Sequence, residues 1–180
     1  KSPNDPVAYQ RLAERYQAMQ KQAEAITAYE KVIEISPGSF PVYFTLARLY
    51  INQGERDKAT QLYRQILNKA SDQETLHKAG QEAVELEWLN GSLAGLERTV
   101  APLVAANGHK PIYRRILVRI YDRYVPDLVA QRNGEDAIAA KAADAELKRL
   151  GAELEVVIAQ PSSGRSEAAG EHAHEDQPEG

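Results

Sequence analysis

From Val7 to Met19 the apolar positions Val7, Leu12, Ala13, Tyr16 and Met19 fall at helical spacing among polar residues, which predicts an amphipathic helix. Asn4-Asp5-Pro6 opens it, with Asp5 able to cap free backbone N–H groups and Pro6 suited to the first turn. A second stripe, Ala25, Ile26, Tyr29, Val32 and Ile33, predicts a helix over about 22–35 that Ser36-Pro37-Gly38 stops. Two antiparallel helices joined so tightly form a hairpin.

The pattern then repeats. Tyr9, Leu12, Ala13, Tyr16, Ala25 and Tyr29 recur 34 residues later as Tyr43, Leu46, Ala47, Tyr50, Ala59 and Tyr63, and Ile66 answers Val32. Ser39 and Pro41 open this second hairpin, Gly54 breaks it, and Ser71 with Asp72 closes it. A unit of this length cannot bury its apolar face alone, so copies stack into a solenoid.

Beyond Glu74 the period degrades while helical spacing persists. Leu76, Ala79, Gly80, Ala83, Val84, Trp88 and Leu89 form one stripe ended by Asn90-Gly91, and Leu93, Leu96, Val100, Leu103 and Val104 form its partner. Pro102 lies inside that partner and is expected to bend or shorten it, at a cost of roughly 3 kcal/mol. Pro111 opens a helix through Ile112, Ile116, Ile120, Tyr121 and Tyr124 that should stop near Pro126, with a short helical turn at Leu128 and Val129. A further helix is expected over about 136–150, whereas 152–159 is open between a helical turn and a strand-like stretch. From Pro161 the Ser, Gly, Ala, Glu and His residues offer little to bury, which predicts a disordered acidic tail.

The first two units resemble the tetratricopeptide repeat family, whose pattern asks for an aromatic, a Leu, a small residue and Tyr on the first helix, and Ala, an aromatic and Pro on the second. Tyr9, Leu12, Ala13, Tyr16, Ala25, Tyr29 and Pro37 satisfy it, with Tyr9 in place of the usual Trp, and the second unit departs only in carrying Ser71 for the Pro. The resemblance covers residues 6–73 and implies an all-α right-handed superhelix of hairpins, an α-solenoid. The expected division is two regular hairpins in 1–73, a degenerate third in 74–109, capping or extending helices in 110–159 and the tail in 160–180. The segment 136–152, with Ala139, Ala140, Ala143, Leu147, Leu150 and Gly151, also resembles the opening helix of a HEAT-type repeat.

The repeated tyrosines and alanines are packing residues: small side chains let helices approach and Tyr fills the space beside them. In the family the ligand lies in the concave groove of the first helices. The resemblance therefore implies groove positions at Val7, Gln10, Glu14 and Gln17, then Phe44, Arg48, Ile51 and Asn52. The family's carboxylate clamp needs Lys, Asn or Arg at five places that here hold Gln10, Glu14, Thr45, Thr75 and Ala79, so an extended or helical partner segment is expected instead of a chaperone tail.

Charge adds one candidate surface. Arg115, Arg119 and Arg123 share a helix face, with Lys110 and Arg114 nearby, and this face could hold phosphate or an acidic peptide; the plainer reading is a solvated surface balanced by Asp122, Asp127 and the tail. Five acids against Arg165 within 161–180 account for the whole net charge of -4, leaving a formally neutral body that argues against nucleic acid. The absence of Cys excludes thiolate chemistry and disulfides. His77 and His109 stand alone, and His172 with His174 lie in the tail, so neither a metal centre nor a catalytic triad is expected. No cofactor, small-molecule substrate or phosphate loop is indicated.

No run approaches the roughly 20 apolar residues of a membrane span and no signal-peptide pattern opens the chain, which reads as soluble with the cytoplasm favoured. Beginning at Lys1, it reads as a processed product or part of a longer protein. The expectation is a noncatalytic protein-interaction module binding a partner segment in its groove. The alternatives are a rigid spacer in a larger helical-repeat scaffold and a phosphate- or RNA-binding repeat using the basic face.

Overall fold

Asp5 starts the first helix by accepting the backbone N–H of Val7 at 2.9 Å, with Pro6 in the first turn where no donor is needed. The computed structural model describes residues 5–107 and 110–159, the side chains of 156–159 excepted. Eight helices fill the described residues, with no strand among them: α1 (Pro6–Ala18), α2 (Gln22–Ile35), α3 (Phe40–Asn52), α4 (Arg56–Lys69), α5 (Gln73–Leu89), α6 (Leu93–Ala106), α7 (Pro111–Arg132) and α8 (Ala137–Ala159). The expected tail, with His172 and His174, and also His109, lie outside the described residues.

Consecutive helices pair as hairpins, and each hairpin lays its second helix against the first helix of the next. The result is an all-α stack of four hairpins, an α-solenoid. The turns inside the first three hairpins each need one residue in the left-handed region: Gln20 at φ 58°, Gly54 at φ 79° and Gly91 at φ 67°. Glycine adopts that conformation without strain, so only Gln20 carries a steric cost.

Ala13, Ala25, Ala47 and Ala59 are fully buried at the helix crossings, and Tyr29, Tyr43, Tyr50 and Tyr63 fill the space around them. The hydroxyls of buried tyrosines reach partners at the edges of the core. Tyr29 donates to Gln17 Oε1 at 2.6 Å, Tyr43 to the Pro37 carbonyl at 3.1 Å, and Tyr50 to the Glu30 carboxylate. Burial raises the phenols of Tyr29, Tyr50 and Tyr63 above their ordinary value, Tyr63 to about 12.

The third hairpin shows why the 34-residue period fades. Only three residues link α4 to α5, against four between α2 and α3, so the core pattern Tyr43, Leu46, Ala47, Tyr50 reappears one residue early as Leu76, Ala79, Gly80, Ala83. α5 is then four residues longer than α3, one extra turn, and α6 therefore follows α4 at a 37-residue offset: Ala59, Thr60 and Tyr63 become Leu96, Glu97 and Val100. The same offset carries Leu76, Ala79, Gly80 and Ala83 onto Tyr113, Ile116, Leu117 and Ile120 of α7, all buried.

Two sequence expectations are corrected here, and one that stood open is resolved. α6 is not shortened by Pro102 and runs on to Ala106. α7 does not stop at Pro126 but continues to Arg132, absorbing the turn expected at Leu128. Both prolines are exposed, so the carbonyls of Arg98 and Asp122 that lose an N–H donor face water, while Val104 and Leu128 hold the following turns into the core. The stretch 152–159 is helical and continuous with 137–151. α8 folds back along α7 to close the fourth hairpin, burying Ala143 and Leu150.

Two buried carboxylates bind hairpin to hairpin. Glu87 of α5 accepts Arg64 Nε of α4 at 2.7 Å and the Ser92 hydroxyl. Glu97 of α6 accepts Arg149 of α8 at 3.0 Å, and Arg149 also holds Glu146 at 2.7 Å and Glu153 at 2.6 Å.

α5 and α7 meet at Gly80, where an added Cβ would lie 2.5 Å from Ile116 Cγ1 and 2.6 Å from Cδ1. Alanine gains about 1 kcal/mol over glycine in a helix, but overpacking costs about 1–3 kcal/mol. Gly80→Ala is therefore expected to destabilise the chain in urea titration. In an Ile116→Ala background, where the obstructing carbons are gone, the same substitution should stabilise it; a destabilisation of equal size in both backgrounds would refute the close contact.

Candidate functional site

The first helices α3, α5 and α7 leave two clefts between them. The larger, about 450 Å3, has Phe44, Arg48 and Ile51 of α3 on one wall and Glu74, Lys78 and Glu82 of α5 on the other, with Tyr63 at its base. Phe44 is half-buried, tilted 47° against Tyr63 with ring centroids 6.0 Å apart. Lys78 Nζ stands 4.6 Å above the Phe44 ring, a cation–π contact. Phe44 thus packs against its own hairpin and the next one, yet keeps part of its ring open to the cleft.

Arg48 lies where its charge favours the ionised form of both Tyr29 and Tyr63, opposing the burial that raises them. On the α1 side, Gln10 Nε2 donates to Glu14 Oε1 at 3.0 Å, and Gln17 is engaged by Tyr29. Of the eight expected groove positions, Phe44, Arg48 and Ile51 converge on the larger cleft, and Glu14 and Gln17 adjoin Arg48 through Tyr29. Val7, Gln10 and Asn52 are exposed and do not line it.

The smaller cleft, about 170 Å3, lies between α5 and α7. His77 and Gln81 face Arg115 and Arg119 across a floor of Gly80, Ile112 and Ile116. This divides the expected basic face. Arg123 turns to the other edge, ion-paired with Glu85 at 3.3 Å and with its guanidinium 4.4 Å from the Trp88 ring centroid. Lys110 precedes α7 as its N-cap residue and lines neither cleft.

Sequence reasoning missed Glu74, Lys78, Glu82, His77 and Gln81. The shortened linker before α5 moves its core stripe by one residue, so counting 34 from α3 no longer separates core from groove there. His77 read as an isolated surface histidine because its neighbours in the cleft come from α7. No group of three His, Asp or Glu that could hold a metal ion occurs among the described residues. No described helix is long and apolar enough to cross a membrane.

No curated protein matches the chain. Among solved structures, a Podosopora anserina putative kinesin light chain with nearly identical TPR-like repeats is 21% identical, with a TM-score of 0.44 over 92% of this chain and 81% of that one. Its Q17M form is 20% identical, with a TM-score of 0.42 over 88% and 76%. YrrB, a TPR protein with an unusual peptide-binding site, is 12% identical, with a TM-score of 0.41 over 86% and 84%. The tetratricopeptide repeat family model matches residues 16–82, which hold most of the first two hairpins and the start of α5. Repeats of this family form protein-interaction modules that are generally noncatalytic. Over residues 16–82 the chain matches the repeat pattern of the tetratricopeptide family.

Proposed function

We propose that the concave side of α3, α5 and α7 binds an extended segment of a partner protein, without chemistry, and that the segment is acidic toward α7. The observation that carries this reading is the charge grading of the two clefts. Between α3 and α5, Arg48 and Lys78 are balanced by Glu74 and Glu82 around the open ring of Phe44, a surface suited to an apolar side chain flanked by polar backbone. Between α5 and α7 the lining holds Arg115, Arg119 and His77 with no carboxylate, so a negative side chain is favoured there.

A preformed wall of packed helices spares the ordering cost of binding, so a few contacts on an open groove suffice for affinity. Selection of random peptides against the folded chain provides the test, with affinities of the selected peptides measured by fluorescence anisotropy. Arg115→Glu with Arg119→Glu should weaken them at least 10-fold and flatten their salt dependence, and Phe44→Ala should weaken them several-fold. Lys58→Glu, on the exposed start of α4 outside both clefts, should leave affinity unchanged. Peptides indifferent to the groove variants would leave the spacer reading in its place. Tight binding of RNA, lost with Arg115 and Arg119, would favour the phosphate-binding alternative.

A further inference from the structure

The repeat supplies its own control for α1. Leu46 is fully buried and Tyr43 and Tyr50 nearly so, because α3 is covered by α4 on one side and by α2 on the other. Among the described helices their counterparts on α1 pack mainly against α2: Leu12 is 41% exposed, and Tyr9 and Tyr16 are only half-buried. Ala13 is fully buried like Ala47, so α1 packs correctly within its own hairpin and the difference lies wholly on its other face. That face runs Ala8, Leu12, Tyr16 and Met19, matching Val42, Leu46, Tyr50 and Gln53 of α3.

A terminal repeat exposed to water needs a polar outer face. α1 meets that requirement only in part: Leu12 and Tyr16 keep the core residues of an internal repeat. Its polar chemistry is unfinished in the same place. Tyr50 donates its hydroxyl to Glu30 of the helix that covers α3, whereas Tyr16 has no hydrogen-bond partner among the described residues. Arg15 stands beside Tyr16 where α3 has the buried Leu49, so one carboxylate would serve both.

We infer that the outer face of α1 is a stacking interface for the second helix of another tetratricopeptide hairpin. The occupant is an amphipathic helix of the α2 kind, an aliphatic stripe seated on Leu12 with a glutamate at the position of Glu30 reaching Tyr16 and Arg15. The interface between α2 and α3 is its template. A second copy of this chain fits less well, since α2, α4 and α6, the helices of the α2 kind, are already covered by the helices that follow them.

The test places an extra copy of residues 5–39 directly before Pro6 in the otherwise full chain and follows thermal unfolding by circular dichroism. A single transition with a midpoint raised by about 5 °C or more is expected, because each properly stacked repeat adds interface to the whole. In the extended chain Leu12→Glu should erase the gain. In the unextended chain, where Leu12 is largely open, the same change should move the midpoint by less than about 2 °C. Separate melting of the added hairpin, or an unchanged midpoint, would overturn the inference. So would concentration-dependent dimerisation of the unextended chain that Leu12→Glu abolishes, which would assign the face to a second copy.

Discussion

Arg149→Ala is expected to lower the unfolding free energy at pH 7 by about 3 kcal/mol, the low end of the range for breaking a buried ion pair, because Arg149 is itself about a third exposed. The loss arises less from the missing bonds than from what stays behind. Glu97 is fully buried between α6 and α8, and Glu146 and Glu153 would face it without the guanidinium that joins all three. Burial already raises Glu97 above its ordinary value of 4.5, Arg149 opposes that rise, and Glu153 adds to it. A carboxyl raised in the folded state favours folding below its unfolded value, and that contribution is lost as pH climbs through the folded value. Without Arg149 the rise is larger, so the deficit should be greatest at neutral pH and shrink toward pH 4. Glu97→Gln added to Arg149→Ala should restore most of the stability at pH 7. Urea midpoints of the variant that fall equally at both pH values would remove the buried charge from the explanation.

The regular part of this fold was legible because its core is written in side chains that have no other reason to recur. Tyr at three equivalent positions and Ala at two, each occupied in both units, announce a hairpin, its length and its packing faces, and each of those alanines is fully buried. Legibility failed where the same interface is built from different material. Leu76, Ala79, Gly80 and Ala83 do the packing of Tyr43, Leu46, Ala47 and Tyr50, but one residue out of register, and Gly80 is small because Ile116 of α7 fills its place. Nothing local marks such a contact, since the two residues are far apart in the chain. The prolines misled for a related reason: propensity places a helix end near Pro126, but the packing of Leu128 decides otherwise.

The groove was legible by face and not by content. Phe44, Arg48 and Ile51 follow from the repeat alone, yet the cleft they line is completed by Lys78 and Glu82, which the shifted register hid. Arg115 and Arg119 stood out as a basic pair, while the separation of Arg123 by Glu85 and Trp88 could be seen only once α5 and α7 were laid side by side. Glu87 and Glu97 gave no signal at all. A glutamate on a helix reads as solvent-facing unless the arginine that meets it, here from α4 or α8, is already placed.

A chain ended at Ser71 should unfold about 20 °C or more below one ended at Ala159. Tyr63, Ile66 and Leu67 close the far side of the second hairpin and are almost fully buried, and the Tyr113 hydroxyl of α7 reaches across to the Leu67 carbonyl at 3.2 Å. Removing everything after Ser71 opens that face to water, and each of those side chains is worth about 1.5–3 kcal/mol when buried. Two hairpins have few kcal/mol to lose, because a core of that size barely offsets chain entropy, and a loss of 3–5 kcal/mol moves the midpoint of so small a unit by about 4–8 °C per kcal/mol. The intrinsic stability of a repeat array is the sum of weak units and strong junctions, so the junction between α4 and α5 should matter more than any single side chain within it. Circular dichroism melts of the two chains decide the point. Equal midpoints would mean that the first two hairpins fold as an independent body, and that α5 to α8 contribute surface to the groove without contributing to its stability.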